Sequence, residues 1–131
     1  LNADLSEKWV FDAEAPVYGT PAISRDNQTI YFGTLDNFSG LNDSRLYAVN
    51  TQTGSAEPGW PIAAGYGVTA SAAIGSDGTV YVTSLDRVLH ALNADGSERF
   101  RVSLDSGTPP PAPDVAVESS PAFGADGAIY F

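Results

Sequence analysis

Cysteine and methionine are absent from the 131 residues, and only 6 are lysine or arginine, against 16 acidic residues. Lack of cysteine removes disulfides, thiolate metal sites and cysteine nucleophiles together. It does not fix a compartment, because exported proteins often lack cysteine too. The shortage of basic residues leaves a net charge of −10, which repels phosphate backbones and anionic lipid, so no nucleic-acid partner is expected. No run of 18 apolar residues occurs, and no membrane insertion is expected. Neither a G-x-G-x-x-G fingerprint nor a P-loop is present. The single histidine, His90, supports no Ser/His/Asp arrangement and reads as a packing or surface residue. No spacing among the sixteen acids singles out a catalytic carboxylate pair. Charged residues make up 17% of the chain, below the usual quarter. Ser, Thr, Asn and Gly must carry the surface, as is common for exported β proteins.

What the chain does have is a repeat. Ser71 to Asn93 contains three short apolar runs, AAI, TVYV and VLHAL, separated by GSDG and TSLDR. Runs of that length, rich in Val, Ile, Leu and Tyr and bounded by Gly and Asp, read as antiparallel strands. The Asp77-Gly78 pair between the first two predicts a type I′ hairpin turn, with positive φ at both central residues. TPAISRDNQTIYF at Thr20 and SPAFGADGAIYF at Ser120 align with SAAIGSDGTVYV, and RLYAVN at Arg45 aligns with VLHALN. A further signature ends in an aromatic: LNADLSEKW at Trp9, VNTQTGSAEPGW at Trp60 and LNADGSERF at Phe100. The shortest spacings are 12 residues from Tyr81 to Asn93, 7 from Asn93 to Phe100 and 21 from Trp60 to Tyr81, a unit of 40. Such a period with about four strands per unit is the mark of a propeller blade.

With the strands of a blade lettered A to D from the inside outward, the chain runs D-ABCD-ABCD-AB. The expected fold is all-β: a single β-propeller unit over 1–131 with about three four-stranded antiparallel blades. The repeats fall at approximately 1–48, 49–91 and 92–131, and the ring is partial. Three blades do not close a ring of four to eight. The chain also begins on Leu and stops on the apolar strand AIYF. A portion of a longer propeller is therefore expected, completed by further blades of the same chain or by self-association. Pro21 and Pro121 fall in strand A, where an edge lining the central channel tolerates a missing donor.

Departures from the 40-residue unit are insertions, and the two large ones share an end. Strand direction alternates, so A–B and C–D turns lie at one end of a blade and B–C and D–A connections at the other. LDNFSGLNDS lengthens the first B–C loop, and LDSGTPPPAPDVAV, with four prolines, forms a stiff polyproline-like D–A connection. Insertions gathered on one end mark the binding face of a repeat protein. The candidate partner-binding residues are therefore Phe38, Asn42, Asp43, Pro109, Pro110, Pro111 and Asp114. Asp36, Asn37, Asn42 and Asp43 offer oxygen ligands of the kind calcium takes, but lack the D-x-D-x-D-G spacing, and Asn and Asp are loop formers in any case. The recurring aromatics could stack a planar ligand. Their presence in every blade favours packing between neighbours instead.

SPAFGADGAIYF, LYAVNTQTGSAEPGW and LNADGSERF resemble the repeats of the pyrroloquinoline-quinone-type (quinoprotein-like) β-propellers. The family's Ala-x-Asp/Asn-x-x-Thr-Gly-x-x-x-Trp docking motif is matched by Ala48, Asn50, Thr53, Gly54 and Trp60, with two extra residues before the Trp. Ala91, Asn93 and Gly96 give a shorter version ending in Phe100. The resemblance implies either a quinone- and calcium-dependent dehydrogenase or a non-enzymatic scaffold or sensor domain, extracellular or periplasmic. The dehydrogenases commonly cover the quinone with adjacent cysteines, which this chain lacks, and their calcium ligands do not map onto it. The expected function is thus a non-enzymatic binding or scaffolding module of a larger exported protein, with a protein or glycan partner and no catalytic, cofactor or metal residues. The alternative is a fragment of a quinone- and Ca²⁺-dependent dehydrogenase.

Overall fold

Repetition in the sequence becomes repetition in backbone pairing. The computed structural model describes residues 1–35, 44–64, 67–104 and 119–130. Their strands are β1 (Ala22–Ile23), β2 (Thr29–Gly33), β3 (Arg45–Asn50), β4 (Ile62–Ala63), β5 (Ala73–Ile74), β6 (Val80–Ser84), β7 (Val88–Leu92), β8 (Glu98–Ser103), β9 (Ala122–Phe123) and β10 (Ile129–Tyr130). They form three antiparallel sheets, in the orders β1-β2-β3-β4, β5-β6-β7-β8 and β9-β10. Each is a meander in sequence order, as a propeller blade requires. The register is the same each time: Tyr31 lies opposite Ala22 and Ala48, Tyr81 opposite Ala73 and Ala91, and Tyr130 opposite Ala122. Small alanines across the ladder leave room for the rings.

Several local details differ from the sequence expectation. Asp77-Gly78 is not a type I′ turn, since Gly78 has φ +83° while Asp77 is not in the left-handed region. Gly78 N–H donates to Gly75 O (3.1 Å), Gly75 N–H to Thr79 O (2.8 Å) and Thr79 N–H to the Asp77 carboxylate (3.1 Å). That is a type I turn followed by a left-handed residue, locked by the Asp side chain. The third copy repeats it through Gly124, Gly127 and Asp126. Strand A is only two residues long and starts after Pro21 and Pro121 rather than containing them. Trp60 likewise precedes β4 instead of lying within it. Residues 1–12 form no strand, although Asn2 to Ser6 makes the same turn as Asn93 to Ser97. Leu5, at φ +70°, holds the place of Gly96 at +82°, a conformation that costs a non-glycine residue about 1–2 kcal/mol.

The sheets are joined by contacts that recur from one to the next. Trp9 Nε1–H donates to Thr51 O (2.9 Å), and Trp60 Nε1–H donates to Ala94 O (3.0 Å). Each indole thus reaches the C–D turn of the following blade. A Cβ on Gly54 would lie 2.7 Å from the Trp9 ring, so that turn must expose bare backbone to the indole. Near the inner edges, Thr20 N–H donates to Ser71 Oγ and Ser71 N–H to Ser120 Oγ, both at 2.9 Å. Thr20, Ser71 and Ser120 hold equivalent positions, so these bonds form a chain passing from blade to blade.

Apolar side chains fill the gaps between sheets. Tyr31, Leu46, Ala48 and Trp60 of the first meet Val80, Val82 and Leu92 of the second. Tyr81, Leu89 and Ala91 of the second meet Ile129 of the third. Alternate residues of β6 therefore face opposite neighbours, which is why the strand is buried at all five positions, its polar Thr83 and Ser84 included. On the other side of the first sheet, Phe11 packs edge-on to Phe32 and Tyr47, and Tyr47 Oη–H donates to Ala13 O (2.9 Å).

Candidate functional site

Phe38, Asn42, Asp43, Pro109, Pro110, Pro111 and Asp114 all lie outside the described residues, as do Asp36 and Asn37. The residues bordering both insertions are described, and their hydrogen bonds fix where each insertion leaves the fold. Leu35 N–H donates to Pro16 O (3.1 Å), and Ser44 O accepts from Ala64 N–H (3.1 Å). Leu104 N–H donates to Arg87 O (2.9 Å), and Ser119 O accepts from Thr83 Oγ1–H (2.8 Å). All four border residues sit where strand B passes to C and strand D to the next A. Leu85 N–H to Gly67 O (2.9 Å) joins that end of the second blade to the connection leaving the first.

The opposite end carries the Asp-containing turns and two shallow grooves. One, of about 460 Å³, lies between the first two blades against Tyr31, Glu57 and Asp95. The other, of about 440 Å³, is bordered by A–B turns of all three, with Arg25, Asp77, Tyr81 and Phe123 in its walls. Carboxylates at this end are committed to the turns. Hydrogen bonds from the Ser97 and Ser6 hydroxyls and backbone amides hold Asp95 and Asp4 below the usual range, and the Ser24 hydroxyl and Gln28 N–H do the same for Asp26. Asp77 is lowered furthest, to about 2, mainly by the Arg99 guanidinium and then by Thr79. Arg99 Nη1 lies 2.5 Å from Asp77 Oδ2 and 2.7 Å from Thr79 Oγ1. The pair is half exposed, so solvent screens most of its worth.

These shifts set an acid limit on stability. Each carboxyl has a lower pKa in the folded chain than in the unfolded one, so its contribution is complete above pH of about 4 and is lost as the pH falls through the folded value, about 2 for Asp77. The thermal midpoint should therefore drop between pH 5 and 2.5, and Arg99→Gln should make that drop shallower. A midpoint that stays level through this window in the parent chain would contradict the assignment.

One side-chain cluster was invisible to sequence reading. The register pairs Val82 with His90 and Ser84 with Val88, which brings Ser84 Oγ within 3.2 Å of His90 Nε2. His90 Nδ1 lies 3.3 Å from Glu98 Oε1. The line serine–histidine–carboxylate looks like a nucleophile relay, but its chemistry is blocked. Ser84 is fully buried, and the Asp86 carboxylate and the Val88 carbonyl compete with His90 for its single hydroxyl proton. A nucleophile needs an accessible oxygen whose proton goes to the base. The period-2 alternation of β6 and β7 could have placed His90 and Ser84 on one face, but only the register puts them in contact.

Among the described residues no three His, Cys, Asp or Glu side chains converge as a metal cage. Among them, too, no helix is long and apolar enough to cross a membrane.

No family model matches the chain, and no curated protein matches it. Among solved structures it is similar to BamB from Moraxella catarrhalis, with a TM-score of 0.60 and 22% identity. The match covers 73% of this chain and 27% of that one, so the chain spans about a quarter of its solved neighbour. At that identity the likeness speaks to architecture, and with the repeated four-stranded meanders it establishes an all-β propeller, present as part of a ring.

Proposed function

We propose that the chain is a binding and scaffolding portion of an exported, periplasmic or extracellular propeller, with no catalysis of its own. It presents the end bearing the B–C and D–A insertions to a protein or glycan partner. The observation that carries this reading is the anchoring of both insertions. Leu35, Ser44, Leu104 and Ser119 are all tied by hydrogen bonds to the same end of the blades, so both insertions leave the repeat at that end. Trp9 and Trp60 are taken up in contacts between blades, and Ser84 is buried away from solvent.

Photo-crosslinking in the cell envelope tests it. A photoreactive residue at position 38 or 110 should yield crosslinked partners, while one at position 78 or 127 should not. A glycan partner should bind to the parent chain on an array and fail to bind after loop removal. Shortening 38–43 and 109–113 should abolish either signal while changing stability by less than about 1 kcal/mol, because loop closure depends weakly on length. Crosslinks arising equally from both ends, or binding that survives both deletions, would refute the face assignment.

A further inference from the structure

The outermost strand of the second blade differs from its counterpart in the first. β4 has two residues and follows Pro61, whereas β8 has six residues and no proline, and every one of its residues is exposed. β8 ends its sheet, and among the described residues no strand pairs with its outer side. Leu104 N–H donates to Arg87 O. Backbone groups alternate along an antiparallel pair, so Val102 and Phe100 point theirs inward to β7, and Arg101 points its N–H and C=O outward. The side chains alternate too. Phe100 and Val102, opposite Ala91 and Leu89, project to one face, and Arg101, opposite His90, to the other. Arg101 is one of only 6 basic residues in a chain of net charge −10. Its neighbours Arg99 and Glu98 are already engaged by Asp77 and His90.

We propose that β8 accepts an extended segment of a protein partner as a fifth strand, with a carboxylate opposite Arg101 and apolar residues opposite Phe100 and Val102. An exposed edge offers backbone hydrogen bonds to any strand. Directly opposed residues share a face, so the single cation flanked by two apolar side chains specifies an alternating apolar–acidic–apolar sequence. This site is distinct from the insertion-bearing end and stands or falls separately from it.

Fluorescence anisotropy with two labelled, end-capped ten-residue peptides tests the idea, one alternating valine with glutamate and the other valine with lysine. The glutamate peptide should bind the full chain about five-fold more tightly than the lysine peptide, the scale of an exposed cross-strand charge pair. Arg101→Glu should reverse that order. Arg101→Pro removes an outward donor that no ladder bond uses, so it should leave the thermal midpoint in place and weaken both peptides about ten-fold or more. Failure of either peptide to bind, equal binding of the two, or binding untouched by Arg101→Pro would overturn the proposal. So would sedimentation showing that β8 is already occupied by a second copy, as a dimer lost in Arg101→Pro. Should the proline variant fail to fold, the charge reversal alone decides.

Discussion

Trp60→Ala lowers the unfolding free energy by about 3–5 kcal/mol, the range for removing a buried large aromatic. Trp60 is 7% exposed and sits in the cluster between the first two blades. Its ring lies 5.6 Å from that of Tyr31, and its indole N–H holds the Ala94 carbonyl of the next blade. Truncation therefore opens a cavity and unties two blades at the same place. Blades are stabilised chiefly by their neighbours, so the loss should spread beyond the mutated turn. Amides of β2 and β6, which line the cluster, should exchange faster together. Trp60→Phe separates the two contributions: it keeps most of the apolar body and should cost only about 1 kcal/mol for the lost hydrogen bond. Denaturant unfolding of both variants gives the comparison. An alanine variant within 1 kcal/mol of the parent would mean that the indole is not the contact joining the blades.

Gly59→Ala is the second large effect, and Gly78→Ala is its control. Both glycines have strongly positive φ, +88° and +83°, so alanine at either pays the left-handed penalty of about 1–2 kcal/mol. They differ in the space beyond. A Cβ on Gly78 would meet nothing within 4 Å, but one on Gly59 would lie 2.3 Å from Asp95 O. That oxygen belongs to the backbone of the next blade's C–D turn and cannot rotate away. The first blade would have to shift against the second, adding about 1–3 kcal/mol of overpacking. The expected order is thus parent, then Gly78→Ala, then Gly59→Ala, with the last two separated by at least about 1 kcal/mol. Equal losses would show that only backbone conformation matters at Gly59 and that the approach of the two turns is looser than described.

The candidate binding end was legible because it is a matter of counting. Extra residues between Tyr31 and Asn50 and between Phe100 and Tyr130 stand out against the 40-residue unit, and strand alternation assigns both to one end. What those residues recognise is another matter. Phe38, Asp43 and Pro109 to Pro111 belong to stretches with no periodicity, so no pattern fixes where their side chains point. The edge at β8 was hidden for a different reason: the sequence marks strand D only by its aromatic, and only pairing separates the two-residue β4 from the six-residue β8.

Local chemistry in the chain dictated the strands, the Asp-centred turns and the repeat, because alternation, turn residues and small alanines beside each tyrosine act over a few neighbouring residues. Burial was decided elsewhere. Tyr31, Tyr81 and Tyr130 occupy the same register, yet they are 3%, 9% and 60% exposed, and Phe100, which stands where Trp60 does, is 43% exposed. A residue on one face of a blade is covered only by the blade that follows. The same dependence governs Ser84, His90 and Glu98, whose contact exists because three strands pair in one register and in no other.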